Sequence, residues 1–240
     1  MKNALVIPVR LDSARLPYKA LRTIKGISIV QRVVNQCVKT GLKTYVITDS
    51  QHIAETVSFN SKTHHNVYVI HDQRNADNGT HRIANMVKGL SEDNFINVQG
   101  DQPFISPEAI LEMSDFMTKN PDYDIVTPVS KHHPEKYNDP SKCKVVRSLS
   151  GRAVYFSRNP IPYNVNDFWG HLGIYGYKRK ILENYHKLKV SPLEEVERLE
   201  QLRFIDNDIP IQTYETKHSI FSVDTLSDFK YATDHCGELI

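Results

Sequence analysis

Ala4-Leu-Val-Ile-Pro-Val9 is an unbroken apolar run, and Arg10-Leu-Asp-Ser-Ala-Arg15-Leu-Pro-Tyr-Lys19 follows it directly. A run without polar alternation fits a strand buried on both faces, as in a parallel sheet. Such a strand delivers its next loop to the carboxyl edge of the sheet, where open α/β folds bind ligands. Three long cations in ten residues, with Pro17 stiffening the loop, suit a triphosphate. On charge alone the same stretch also reads as an ordinary solvated basic loop.

Working outward, apolar runs alternate with helical patterns through the first half of the chain. Strands are expected at Ala4–Val9, Lys43–Thr48, Asn66–Ile70, Asn94–Val98 and Asp124–Val129. Helices are expected at Ser28–Lys39, from an Asp49-Ser50 cap to about Phe59, from Thr80 to Leu90, and after Ser106-Pro107-Glu108. In the last of these Ser caps, Pro takes the first helical position and Glu sits in the first turn. Repeated strand–helix–strand units imply an α/β fold with an open, mostly parallel sheet and right-handed crossovers.

After about Ser130 the rhythm changes. Lys144–Arg147 and Ala153–Ser157 read as a hairpin, and Asn159–Asn166 as a Pro-rich loop. His171–Tyr177 reads as one strand, with helices at Glu194–Arg203 and Thr225–His235. No repeat or linker separates the halves. Residues 1–240 are therefore read as one domain, with about 130–205 as an inserted elaboration.

The bulk properties exclude several classes. Thirty basic and 28 acidic residues leave a formal charge of +2, too balanced to argue for nucleic acid or a membrane surface. Cys37, Cys143 and Cys236 are odd in number and lack metal-ligand spacing, which fits cytosolic thiols. No run approaches the roughly 20 apolar residues of a membrane span. Pro8 and Arg10 cut the first run too short for a secretion signal, so a cytoplasmic protein is expected.

Two acids complete the picture. Asn97-Val-Gln-Gly-Asp101 ends a strand in a carboxylate, and so does Ile220-Phe-Ser-Val-Asp224. Each alone reads equally well as a cap or turn residue. Together with Arg10, Arg15 and Lys19 they make a coherent nucleotidyl-transfer site, with Mg²⁺ held by one or two carboxylates plus phosphate oxygens.

An ordered set of motifs runs through the chain: Ile7-Pro-Val-Arg10, Ser13-Ala-Arg15-Leu-Pro17, Lys19-Ala-Leu21, Asn78-Gly-Thr-His-Arg82, Val98-Gln-Gly-Asp101 and Lys144-Val-Val146. Tyr155-Phe-Ser-Arg158, His171–Tyr177, Ser191-Pro-Leu-Glu194, Leu199–Arg203 and Val223-Asp-Thr225 continue it. The set resembles that of the CMP-Kdo synthetases (3-deoxy-manno-octulosonate cytidylyltransferases), relatives of the CMP-sialate synthetases. The resemblance implies a Rossmann-like nucleotidyltransferase in which the anomeric hydroxyl of a keto-sugar acid attacks the α-phosphate of CTP. Arg10, Lys19, Asp101 and Asp224 are then catalytic, and both acids hold Mg²⁺. Arg10, Arg15, Lys19, Gly79, Thr80 and Arg82 bind nucleotide. Gln99, Arg158, His171, Tyr175, Glu200 and Gln201 bind sugar, Arg158 facing the carboxylate. The resemblance also implies a homodimer, formed largely around His171–Tyr177.

Three positions depart from that pattern. Tyr18 stands where the family has Gly, His81 stands where it has Glu, and the segment between Arg158 and His171 is short. They bear on whether the acceptor is Kdo, its 8-amino analogue, a sialate or another ulosonic acid. They also admit a degenerate nucleotide-binding protein in which Tyr18 blocks turnover.

Overall fold

The computed structural model describes residues 1–62, 64–132 and 136–239. Its centre is β1 (Asn3–Val9), flanked in parallel by β4 (Lys43–Thr48) and β6 (Asn94–Asn97). β5 (Val67–His71) lies outside β4, and β2 (Thr23–Ile24) and β3 (Ile27–Ser28) form a separate small ribbon. Leu5, Ile7 and Val9 face one core, packed with Val30, Val33 and Val34 of α1 (Ile29–Lys39). Ile53 and Val57 of α2 (Gln51–Asn60) join them. Ala4 and Val6 face a second core, with Ile83 and Ala84 of α3 (Gly79–Met86). Burial on both faces is why β1 carries no polar alternation.

α4 (Pro107–Lys119) leads to β7 (Ile125–His132), followed by the hairpin of β8 (Lys144–Arg147) and β9 (Ala153–Ser157). Next come β10 (Phe168–His171) and β11 (Tyr175–Lys178), both antiparallel to β7. The single strand expected over His171–Tyr177 is thus two. His171 pairs with Val129 and Gly176 with Val126, so five steps along one strand meet three along β7. Gly173, at φ +79°, takes the left-handed turn that breaks the ladder. β11 fills the space between β6 and β7. Ile174, Tyr175, Gly176 and Tyr177 are buried in the chain, and His171 and Gly173 are the part-exposed residues of this stretch. Exposed apolar side chains of the second half include Leu149, Val154, Tyr163 and Val196.

After α5 (Arg179–Glu183), the helix expected over Glu194–Arg203 is also divided. α6 (Pro192–Glu197) stops at Arg198, which is left-handed, and α7 (Leu202–Asp206) follows. The division lets the buried Arg203 guanidinium reach back to Glu194, with one N···O distance of 3.1 Å. β12 (Gln212–Glu215), absent from the sequence reading, pairs in parallel with the free edge of β7. Residues 220–223 form no strand; the Val223 N–H donates to the Asp101 carbonyl at 2.9 Å. α8 (Leu226–Asp234) closes the chain and packs Ala232 on Leu16, Ile24 and Val223.

Candidate active site

The loop after β1 is held at both ends. Leu16, 2% exposed among three cations, is sunk into the α8 cluster and gives the loop an apolar anchor. Burying a leucine contributes about 1.5–3 kcal/mol. At the other end the Leu11 N–H donates to Asp49 Oδ1 at 3.1 Å. Between these points Lys19 turns inward. Its Nζ donates to Asp101 Oδ2 at 2.7 Å and to Asp224 Oδ1 at 3.0 Å. Burial lowers the affinity of Lys19 for its proton, but the two carboxylates outweigh it and raise its pKa above the usual value. Arg15 reaches Asp224 from the solvent side at 2.9 Å.

Local chemistry explains why both acids are available. Thr225, one residue past Asp224, caps α8 through a reciprocal pair with Asp228. That leaves the Asp224 carboxylate free of capping. The bond from Val223 to the Asp101 carbonyl then ties the two acid-bearing segments side by side. Gly100 lets the turn that carries Asp101 lie against the end of β1, because a Cβ there would lie 2.7 Å from Val9 Cγ2.

These groups border a cleft of about 370 Å³. Of the residues singled out from sequence, Arg10, Arg15, Lys19, Gly79, Arg82, Gln99, Asp101, Glu200 and Asp224 line it. A larger concavity, about 540 Å³, lies on the far side of the loop and has no Asp, Glu, Lys or Arg in its lining. Tyr18 lines that second space and not the cleft, with its backbone at φ 55°. The smaller cleft is the one whose charged lining suits a triphosphate.

Five expected residues do not line the cleft. Thr80 is buried behind it, its hydroxyl 3.1 Å from Tyr177 Oη and its N–H donating to Glu200 Oε2. Burial raises the Glu200 pKa, which that N–H partly offsets. His171 lies 2.9 Å from Thr127 Oγ1, between the rings of Phe156 and Tyr175, and burial pushes its pKa down to about 3. Tyr175 stacks on Tyr177 in the same layer, at 5.7 Å between centroids. Gln201 is buried with its Nε2 3.6 Å from Cys143 Sγ. Arg158 bridges the end of α6 and the segment before β8, donating Nε to the Glu197 carbonyl and Nη1 to the Pro140 carbonyl.

Arg82 reaches the cleft wall, but its Nη2 is 2.7 Å from Asp49 Oδ2. Asp49 went unnoticed in the sequence because Asp49-Ser50 reads as a helix start, and Ser50 does cap α2. Asp77 and Asn78 also border the cleft, and Asn78 caps α3 while donating to Tyr185 and Glu194.

The donor set suits a magnesium–triphosphate. Two carboxylates held together by a shared ammonium mark a spot where positive charge is stabilised, and hard oxygen donors are those Mg²⁺ prefers. Among the described residues no three His, Cys, Asp or Glu side chains form a metal cluster. The remaining ligands would thus be phosphate and water, as is usual for this ion.

A family model described as cytidylyltransferase matches residues 4–231. The 3-deoxy-manno-octulosonate cytidylyltransferase of Rickettsia prowazekii (strain Madrid E) is 40% identical over 247 residues, covering 100% of this chain and 98% of the relative. That of Rickettsia typhi (strain ATCC VR-144 / Wilmington) is 39% identical, with 99% and 100% covered. Among solved structures, a CMP:2-keto-3-deoxy-manno-octonic acid synthetase complexed with CTP superposes with a TM-score of 0.92 at 30% identity, all of both chains covered. A UDP-glucose pyrophosphorylase superposes with a TM-score of 0.73 at 13% identity, 99% of each chain covered, a likeness of fold alone.

Proposed function

The chain belongs to the cytidylyltransferase family, and on that premise we propose that it transfers CMP from CTP to a 3-deoxy-octulosonate. The observation that carries the reading is the convergence of Lys19, Asp101 and Asp224 in the lining of one cleft. In the reaction the anomeric oxygen of the sugar acid bonds to the α-phosphorus of CTP. The bond from that phosphorus to the bridging oxygen breaks, pyrophosphate leaves, and the hydroxyl proton passes to solvent.

Arg10, Arg15 and Lys19 offset charge that grows on the departing pyrophosphate. Asp101 and Asp224 would hold Mg²⁺, which supplies Lewis-acid polarisation of phosphate and hydroxyl oxygens. Gln99 and Glu200, also in the lining of the cleft, present a carboxamide and a carboxyl to sugar hydroxyls, which both donate and accept. Arg158, His171, Tyr175 and Gln201 do not line this cleft; the resemblance gives them to the sugar, and contact with it requires the pocket to extend toward them. Most of the acceleration is then positioning and electrostatics.

The same reading places the enzyme in the cytoplasm as a homodimer. Among the described residues no helix is long and apolar enough to cross a membrane. The exposed apolar side chains of the elaborated half, Leu149, Val154, Tyr163 and Val196, support a self-association surface there. The reading is tested by pyrophosphate release from CTP and Mg²⁺ with Kdo, 8-amino-Kdo or sialic acid as acceptor. The ranking of the three names the substrate.

A further inference from the structure

We propose that Asp49 is a positioning residue that clamps the phosphate loop to α3, and that Arg82 acts through it rather than on the nucleotide. The parallel register of Val9 with Thr48 sets Asp49, at the end of β4, beside Arg10 at the end of β1. One carboxylate oxygen takes the Leu11 N–H at 3.1 Å, and the other takes Arg82 Nη2 at 2.7 Å. Arg82 Nη1 donates to the Asp72 carbonyl at 3.2 Å, so the guanidinium also fixes the segment entering α3. The Arg82 side chain is only 7% exposed, and its charge faces a carboxylate already in place. The Asp49 carbonyl lies 3.2 Å from His71 Nε2, which braces the same strand end.

Two walls of the cleft, the loop from Arg10 and the start of α3, thus meet at one carboxylate. A backbone N–H held this way keeps the cationic loop near its binding geometry before CTP arrives, which lowers the ordering cost of binding. A displaced loop would weaken the triphosphate contacts while leaving the sugar side untouched.

The inference rests on the CTP-dependent reading above, and its test separates the two. CTP affinity is measured by calorimetry, and KM for CTP and for the sugar acid by pyrophosphate release, in D49A, R82Q and the double variant. D49A should weaken CTP binding about tenfold or more, the scale of a lost charge-assisted hydrogen bond, and change KM for the sugar acid by less than about twofold. Adding R82Q to D49A should cost less than about twofold further, because both act through one link. If D49A does not fold, D49N keeps the size and one acceptor oxygen, and a smaller loss confined to CTP is expected. Unchanged CTP affinity, equal loss for both substrates, or a further tenfold loss from R82Q would overturn the clamp. Wild type that binds CTP yet releases no pyrophosphate with any acceptor would sink the acceptor assignment and leave the clamp standing.

Discussion

The ammonium of Lys19 lies 2.7 Å from Oδ2 of Asp101, joining residues 82 positions apart in sequence. The same nitrogen contacts Asp224, so one lysine gathers both carboxylates proposed to bind metal. Because the pair raises the Lys19 pKa above its ordinary value, its sign with pH is defined. The stabilisation is complete below the unfolded lysine pKa, about 10.4, and is lost as pH rises through the higher folded value. Thermal melting of wild type and Lys19→Met between neutral pH and strong alkali should show a gap that closes only above that point. A constant gap would mean that Lys19 stabilises by packing alone.

His171 makes the opposite prediction at acid pH. Burial holds its folded pKa near 3, whereas an unfolded histidine takes its proton at about 6.5. The unfolded state therefore binds more protons between those values, and stability falls as pH drops below about 6.5. His171→Gln should flatten that part of the melting profile. Proton NMR of the wild-type imidazole should show it neutral at pH 5; a protonated ring there would contradict the burial argument.

Gly100→Ala tests the close approach of the two strand ends. The added Cβ would lie 2.7 Å from Val9 Cγ2, a rigid β-branched neighbour, so β1 or the Asp101 turn must shift. Overpacking of this kind costs about 1–3 kcal/mol, and turnover should fall with the displaced carboxylate. Denaturant unfolding and pyrophosphate release, measured together, check both. Unchanged stability with full activity would show that the turn yields without consequence.

Tyr18 addresses the possibility of a degenerate enzyme. Its left-handed backbone carries about 1 kcal/mol of strain in a non-Gly residue, and its ring lines the space behind the loop. Tyr18→Gly should therefore leave kcat/KM for CTP within about twofold of wild type. A tenfold rise would mean that the ring obstructs turnover, and a tenfold fall that it contacts the nucleotide.

The central strand was the most legible part of the chain, because burial on both faces writes itself as an apolar run with no alternation. The loop cations, Gln99, Asp101, Glu200 and Asp224 were legible too, as charge or polarity at element ends or within motifs. What sequence could not resolve were choices between neighbours. Asp224 and Thr225 are both good caps, and only the fold shows that Thr225 caps while the Asp224 carboxylate turns to Lys19 and Arg15. Gly173 looked like a small residue inside a strand until its positive φ split it into β10 and β11. Asp49 hid behind Ser50 as one more helix-start residue, and Leu16 as an apolar gap in a basic loop. β12, a short run with mixed polarity, is a strand because β7 offers it an open edge.

The most direct test of the proposed chemistry is pyrophosphate release with CTP, Mg²⁺ and a 3-deoxy-octulosonate, comparing wild type with Asp101→Ala and Asp224→Ala. Wild type should turn over, and each variant should lose at least about a hundredfold in kcat while keeping the wild-type circular-dichroism spectrum. Near-normal turnover in either folded variant would contradict the assignment of that carboxylate to the reaction centre.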